Sequence, residues 1–291
     1  VIFADCKLFR DAVHAKSLSR AAQLNGISQS AATQHVQDLE KRLGVELFDR
    51  STRPLGLTGA GKLYADLCRE VLRREEDFTA ALEDIKGSAE GTVRIASIYS
   101  IGLSEIAHLR EEFARVCPGA MIQVQLLRPD RVYAAVLEDQ ADLGFISYPE
   151  HRRELTVIPW REERMTVAAY PSHRFAGREM VLPEDLDGEA FIAFDEEVII
   201  RRELDRFFRE SGVEIRISMQ LDNIQSIKEA VALGSGISIL PERTMLTEVE
   251  QKRLVSIPLH APELRRPIAI IHRRGKKLSR AAREFLKVVI G

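Results

Sequence analysis

The sequence predicts an all-helical N-terminal module, then one long helix, then an α/β portion. Three observations carry this. Apolar residues recur at helical spacing through residues 1–50. A second apolar repeat runs from Leu63 to Ile85 without an intervening Pro or Gly. From Thr92 onward, short apolar strands alternate with amphipathic helices. A chain of 291 residues has material for two domains with separate cores. Hydrophobic residues make up 45% and charged residues 30%, the balance of an ordinary soluble globular protein and not of a disordered or fibrous one.

In the first helix, Phe3, Cys6, Leu8, Phe9 and Val13 form the buried stripe. Ser19 is expected to cap a short helix over 20–24, and Asn25-Gly26 to turn the chain. Ser28 caps the next helix, which runs to Leu43 before Gly44 ends it. Residues 45–58 read as short and extended, with Arg50, Arg53 and Pro54 near a tip. Over 59–87 the apolar positions Leu63, Leu67, Val71, Phe78, Leu82 and Ile85 are spaced by 3, 4 or 7. Such a helix is ~40 Å long, more than a small domain covers, so a partner helix from a second copy of the chain is expected. Gly87-Ser88-Ala89-Glu90-Gly91 reads as a linker.

Beyond it, strands are expected at 93–97, 122–127, 143–147, 165–169, 191–194, 217–221, 237–240 and 268–272. Helices are expected at 105–116, 131–138, 200–210 and 224–233. The alternation predicts largely parallel sheets, which bind ligands at the carboxyl ends of their strands.

The N-terminal pattern fits a winged helix-turn-helix. Ala21 and Ala22 are small enough for two helices to approach closely. Ala32, Val36, Leu39 and Leu43 turn an apolar stripe inward, which leaves Gln29, Ser30, Thr33, Gln34 and Gln37 outward beyond the Ser28 cap, and Ser28, Gln29, Ser30, Thr33 and Gln34 are the expected DNA contacts of this helix. Short polar side chains there suit base edges in the major groove. Arg50 and Arg53, on a hairpin-like wing, are placed to reach phosphate or minor groove. Charge is permissive: residues 1–58 carry +2 and the remainder −4, for a net −2.

These residues resemble the LysR-type transcriptional regulators, over nearly the whole chain. The shared pattern is Ala21-Ala22, Ser28-Gln29-Ser30, Leu39-Glu40, Leu43-Gly44 through Leu47-Phe48 to Arg50, and Leu57-Thr58 with Gly61. Two positions depart from it. Asn25 stands where the family carries a buried Leu, with Leu24 expected to repack over it, and Gln34 stands where relatives often carry Arg. After the linker, Gly91-Thr92-Val93-Arg94-Ile95, Asp142-Leu143-Gly144-Phe145 and the stretch Ala232 to Pro241 continue the likeness.

The resemblance implies a DNA-binding domain at 1–58, a dimerisation helix at 59–87 and an effector-binding domain at 88–291. The last would hold two Rossmann-like subdomains resembling periplasmic binding proteins, 92–162 with 267–291, and 163–266. The effector would lie between them, at Ser97, Tyr99, Ser100, Arg128, Ser147, Tyr148, Phe194 and Asn223. Hydroxyls and helix-start amides there would favour an anionic effector. Double-stranded operator DNA and RNA polymerase are the implied partners, in a homodimer or homotetramer.

Rival readings find less support. Gly56 to Lys62 matches the first seven positions of a phosphate-binding loop, but Leu63 follows where a hydroxyl would hold magnesium, and no buried strand precedes it. The seven histidines are scattered without metal-ligand spacing, and no Gly-x-Ser-x-Gly elbow occurs. No enzyme, cofactor or metal is therefore expected. Cys6, Cys68 and Cys117 form no Cys-x-x-Cys pair and read as reduced thiols. With no signal-peptide pattern and no apolar run of membrane-spanning length, a cytoplasmic protein is expected, and an exported solute-binding protein is disfavoured.

Overall fold

The computed structural model describes residues 2–86 and 91–291. The expected linker residues Gly87 to Glu90 lie outside them. Two compact units emerge: one holds the chain up to the long helix together with Lys276–Arg280, and the other holds most of the rest.

The first unit opens with α1 (Ile2–Ala15), α2 (Leu18–Leu24) and α3 (Gln29–Leu43). A two-stranded hairpin follows, β1 (Phe48–Asp49) against β2 (Gly56–Leu57), antiparallel, with Phe48 opposite Leu57. The long helix α4 (Gly59–Lys86) completes it. Ser28 caps α3 by accepting from the Ala31 amide, and Gly44 stops it in the left-handed region at φ 68°. The cap of α2 is Ser17, not Ser19: with extended backbone, its hydroxyl accepts from the Arg20 amide. The helix thus starts two residues earlier than the pattern suggested. Ala21, Ala22 and Ala32 are buried, so the α2–α3 corner closes tightly around Phe9, Val36 and Leu39. Leu24 does not repack over Asn25; it is 57% exposed. Asn25 is accommodated by polar contacts, its Nδ2 donating to Asp11 Oδ2 at 2.8 Å and to the Ala21 carbonyl at 2.9 Å.

In the second unit, β3 (Gly91–Ile98), α5 (Tyr99–Val116), β4 (Ala120–Leu127), α6 (Pro129–Leu137) and β5 (Leu143–Ser147) form a run of parallel strands with helices between. A 15-residue strand, β6 (Leu155–Ala169), then leads away. It is followed by β7 (Ala190–Phe194), α7 (Ile199–Ser211), β8 (Arg216–Leu221), α8 (Ile224–Ala232), β9 (Ser238–Pro241), α9 (Leu246–Glu250) and β10 (Val255–Pro258). The chain returns through β11 (Arg265–Arg273) and ends in α10 (Arg280–Ile290).

The expectation of largely parallel sheets needs correcting. The strands β3, β4 and β5 are parallel, as are β7 and β8, but β6 pairs antiparallel with β11, β9 and β10. Residues 155–164 of β6 pair with β11, and 165–169 with β9 and β10. One strand therefore serves two halves of the unit. The first half packs Phe113, Phe145 and Phe285 edge to face. The second buries a separate cluster around Phe175, Phe191, Phe207 and Phe208. Gly144 in β5 packs so closely that an added Cβ would lie 2.7 Å from Ile271 and 2.8 Å from Val136.

The three cysteines are buried and not joined in disulfides, and no helix of the described residues is long and apolar enough to cross a membrane.

Candidate functional site

Two places combine functional side chains with exposure. The first is the outer face of α3. Its buried side is Ala32, Val36, Leu39 and Glu40, while Ser28, Gln29, Ser30 and Gln34 are exposed and Thr33 is half-buried. Most hold local bonds. Ser28 and Ser30 hydroxyls are 2.9 Å apart, Thr33 Oγ1 donates to the Gln29 carbonyl at 2.9 Å, and Gln34 Nε2 donates to Asp38 at 2.9 Å. The Asp38 contact orients Gln34 along the helix, a position where an Arg would reach outward. Gln29 projects from the first helical turn, next to the positive end of the helix dipole.

The hairpin arginines differ. Arg50 turns back, Nη2 donating to Glu40 Oε2 at 2.8 Å, while Arg53 is exposed near the tip. Buried Glu40 also accepts from the Leu47 and Phe48 amides, so Arg50 belongs to the fastening of the hairpin. The glycine-rich stretch beside it has a packing role: a Cβ on Gly61 would fall 1.9 Å from the Leu47 carbonyl oxygen, and the Gly61 amide donates to Thr58 Oγ1 at 2.9 Å.

The second place is a cavity of about 440 Å³ within the α/β unit, between its two halves. Four helices start on it. Ile98, Arg128, Val198 and Asn223, the N-cap residues of α5, α6, α7 and α8, all line it. Only Asn223 caps with its side chain, accepting from the Ser226 amide at 2.9 Å. The helix expected from residue 105 starts at Tyr99, which puts Tyr99 and Ser100 in the first turn of α5.

Of the expected effector residues, the fold gathers Tyr99, Ser100, Arg128, Ser147, Phe194 and Asn223 around this cavity. It does not gather Ser97 or Tyr148. Ser97 is fully buried under α5 and donates to the Ile98 carbonyl at 3.0 Å. Tyr148 sits at φ 49°, a left-handed turn that swings its ring toward the core of the second half. Burial pushes its phenol up to about 12. Arg128 bridges the mouth, Nη2 donating to Glu197 at 3.3 Å.

Arg266, absent from the expected set, is the most buried cation of the cavity, at 2% exposure. It donates through Nη1 to Glu163 at 3.1 Å and through Nη2 to Ser100 Oγ at 2.6 Å. The sequence signal was a charged residue at the start of an apolar strand, hidden because β11 begins three residues earlier than its apolar run. Among the described residues no group of three or more metal-ligating side chains occurs.

Residues 3–62 match the bacterial regulatory helix-turn-helix protein, lysR family, and residues 86–290 match the LysR substrate binding domain. The RuBisCO operon transcriptional regulator of Allochromatium vinosum is 28% identical over 284 residues, 98% of this chain and 94% of the relative. The regulatory domain of CcmR from Synechocystis PCC6803, solved in complex with 2-PG, superimposes with a TM-score of 0.62 at 25% identity, covering 69% of this chain and 96% of that one. A full-length OxyR variant from Pseudomonas aeruginosa covers 99% of this chain and 93% of its own at a TM-score of 0.76 and 19% identity, a likeness of fold.

Proposed function

The chain belongs to the LysR family of bacterial transcriptional regulators, and from that premise we propose that it reads operator DNA with the outer face of α3 and answers a small-molecule effector held in the cavity of its α/β unit. The observation that carries the reading is α3 itself, with one face buried against Phe9 and its neighbours and the other a row of short polar side chains. Gln29, Ser30, Thr33 and Gln34 would contact bases, Ser28 and the helix start a phosphate, and Arg53 the flanking backbone. Arg50 would act mainly by holding the hairpin in place.

The division of labour follows the chain. Residues 1–58 would bind DNA, 59–87 pair two copies, and 88–291 sense, with lobes 92–162 plus 267–291 and 163–266. Support for pairing comes from α4, whose Leu63, Leu67, Phe78 and Ile85 are exposed while Cys68, Leu72 and Ala80 are buried. An apolar stripe of this length on one helix suits a symmetric partner, in a homodimer or a pair of dimers. The CcmR domain solved with 2-PG supports an effector in the sensing portion. The output would be promoter occupancy and RNA polymerase recruitment in the cytoplasm, without catalysis. Effector binding would shift the angle between lobes and so the spacing of the DNA-reading pairs.

Footprinting of the full-length protein on duplexes upstream of its own and adjacent genes tests the reading. A protected, salt-sensitive interrupted palindrome is expected. Gln29→Ala should lose about 1–3 kcal/mol of discrimination at one base pair while keeping non-specific affinity. A footprint indifferent to that substitution would remove Gln29 from the contact set, and no sequence-selective footprint at all would end the proposal.

A further inference from the structure

The depth of the cavity is electrostatically one-sided. Where β6 and β11 lie side by side, three guanidiniums share two carboxylates. Glu163 accepts from Arg161 at 3.0 Å on one oxygen and from Arg266 at 3.1 Å on the other. Glu105 accepts from Arg161 at 3.0 Å and from Arg243 at 3.2 Å. Arg243 is half-exposed, so water shares its charge. Arg266 has no such relief. Its Nη2 leans on two neutral hydroxyls, Ser100 at 2.6 Å and Ser147 at 3.4 Å, and its Nε, fully buried, has no hydrogen-bond partner. A buried guanidinium holding half a carboxylate is a costly arrangement, and burial draws its pKa below the usual arginine value.

The helices reinforce the sign. The N-terminal ends of α5, α6 and α7 line the same cavity, and their N-caps make no side-chain cap bond. At the rim Arg128 pairs with Glu197 and Asp130, and Arg152 with Glu150, while Arg202 and Asp222 complete the charged lining. Between rim and floor the walls are apolar, with Ile98, Leu127, Ile146, Phe194 and Ile200.

We propose that the effector is an amphipathic organic acid whose oxyanion head docks on Arg266, Ser100 and Ser147, with its apolar body against Ile146, Phe194 and Ile200. The proposal rests on the effector-pocket reading and specifies its chemistry. A carboxylate or a phosphate-type head would satisfy Nε and Nη2 together, in the two-pronged geometry that a guanidinium offers. The cavity volume suits a small metabolite.

The test uses the full-length chain and four probes of one size: butyrate, propylphosphonate, butyramide and butylamine. Binding is followed by thermal shift and by the Nε–H resonances of ¹⁵N-arginine-labelled protein, with Arg266 assigned by its loss in Arg266→Lys. At least one acid should move the Arg266 resonance saturably and bind about tenfold tighter than butyramide, with butylamine weaker still. The stronger acid identifies the head as carboxylate or phosphate-type. Arg266→Met should erase the preference for the acid, and Arg266→Lys should keep its sign at lower affinity. If Arg266→Met does not fold, the four-probe ranking on the wild type decides. Butyramide or butylamine binding as well as the acids, or a preference that survives Arg266→Met, overturns the oxyanion proposal and leaves the pocket reading standing. If no probe perturbs the Ser100 or Phe194 amides, the pocket reading falls with it.

Discussion

Each unit contains a buried glutamate that takes an arginine, and the two are built differently. Glu40 accepts from two backbone amides, Leu47 and Phe48, and from Arg50, all within ten residues of it. Glu163 accepts from Arg161, two residues away, and from Arg266, 103 residues away. The Glu40 cluster is local: its donors are main chain plus one half-exposed guanidinium. The Glu163 cluster is shared, because Arg266 faces the cavity as well as the glutamate. A DNA-reading unit gains from a fastening that never changes, whereas a sensor needs a charged group whose partners can change.

The largest test of this contrast is Glu163→Ala. Stripping a buried arginine of its carboxylate should cost the α/β unit about 3–5 kcal/mol. Urea unfolding followed through Trp160, the single tryptophan, reads that unit. A loss under about 1 kcal/mol would mean that Arg266 is compensated by other means. Glu40→Ala comes next, at roughly 2–3 kcal/mol in the helical unit, because two amides lose their acceptor. Faster hydrogen exchange at Leu47 and Phe48, with the Trp160 transition unmoved, is the expected signature. Exchange rates unchanged at those amides would show that the hairpin is held elsewhere.

The smallest effect sharpens the picture through pH. Burial opposes ionisation of Glu105, but hydrogen bonds from Arg161 and Arg243 outweigh it and hold the carboxyl below the usual glutamate range. A folded-state pKa below the unfolded one stabilises above the unfolded value of about 4.3, and the gain is lost as pH falls through the folded pKa. The deficit of Glu105→Gln against wild type should therefore shrink as unfolding is measured from pH 6 down toward pH 3. A deficit constant with pH would show that Glu105 acts by packing alone.

The same range of sequence separations explains what could be read from residue order. Ser28, Gly44 and the Asn25-Gly26 turn act on neighbours, so the bounds of α3 were legible to the residue, although Leu43, expected to face inward, is 47% exposed. Ser17 was missed as the cap of α2 because Ser19 offered an equal signal two positions on. The cavity was legible where strand ends and helix starts announce themselves, at Tyr99, Ser100, Arg128, Ser147, Phe194 and Asn223. Ser97 and Tyr148 were misplaced because strand alternation and a left-handed turn decide which way a side chain faces. Arg266 was illegible in its role, since its partners Ser100 and Ser147 lie 166 and 119 residues away. The antiparallel β6–β11 pairing escaped for the same reason, and with it the strand shared by both halves.

The seat of Gly61 under Leu47 has a mechanical consequence. With no room for even a methyl group, and with Thr58 bonded to the Glu46 and Leu47 carbonyls, the first turn of α4 and the root of the hairpin move as a single body. The 28-residue helix is then a lever about 42 Å long with the hairpin at its fulcrum, so a tilt of about one degree displaces its far end by about 0.7 Å. Read in reverse, a shift of several ångströms imposed at the far end turns the hairpin by only a few degrees. Coarse motion is geared down to the fine adjustment that hydrogen-bond registry on a duplex requires.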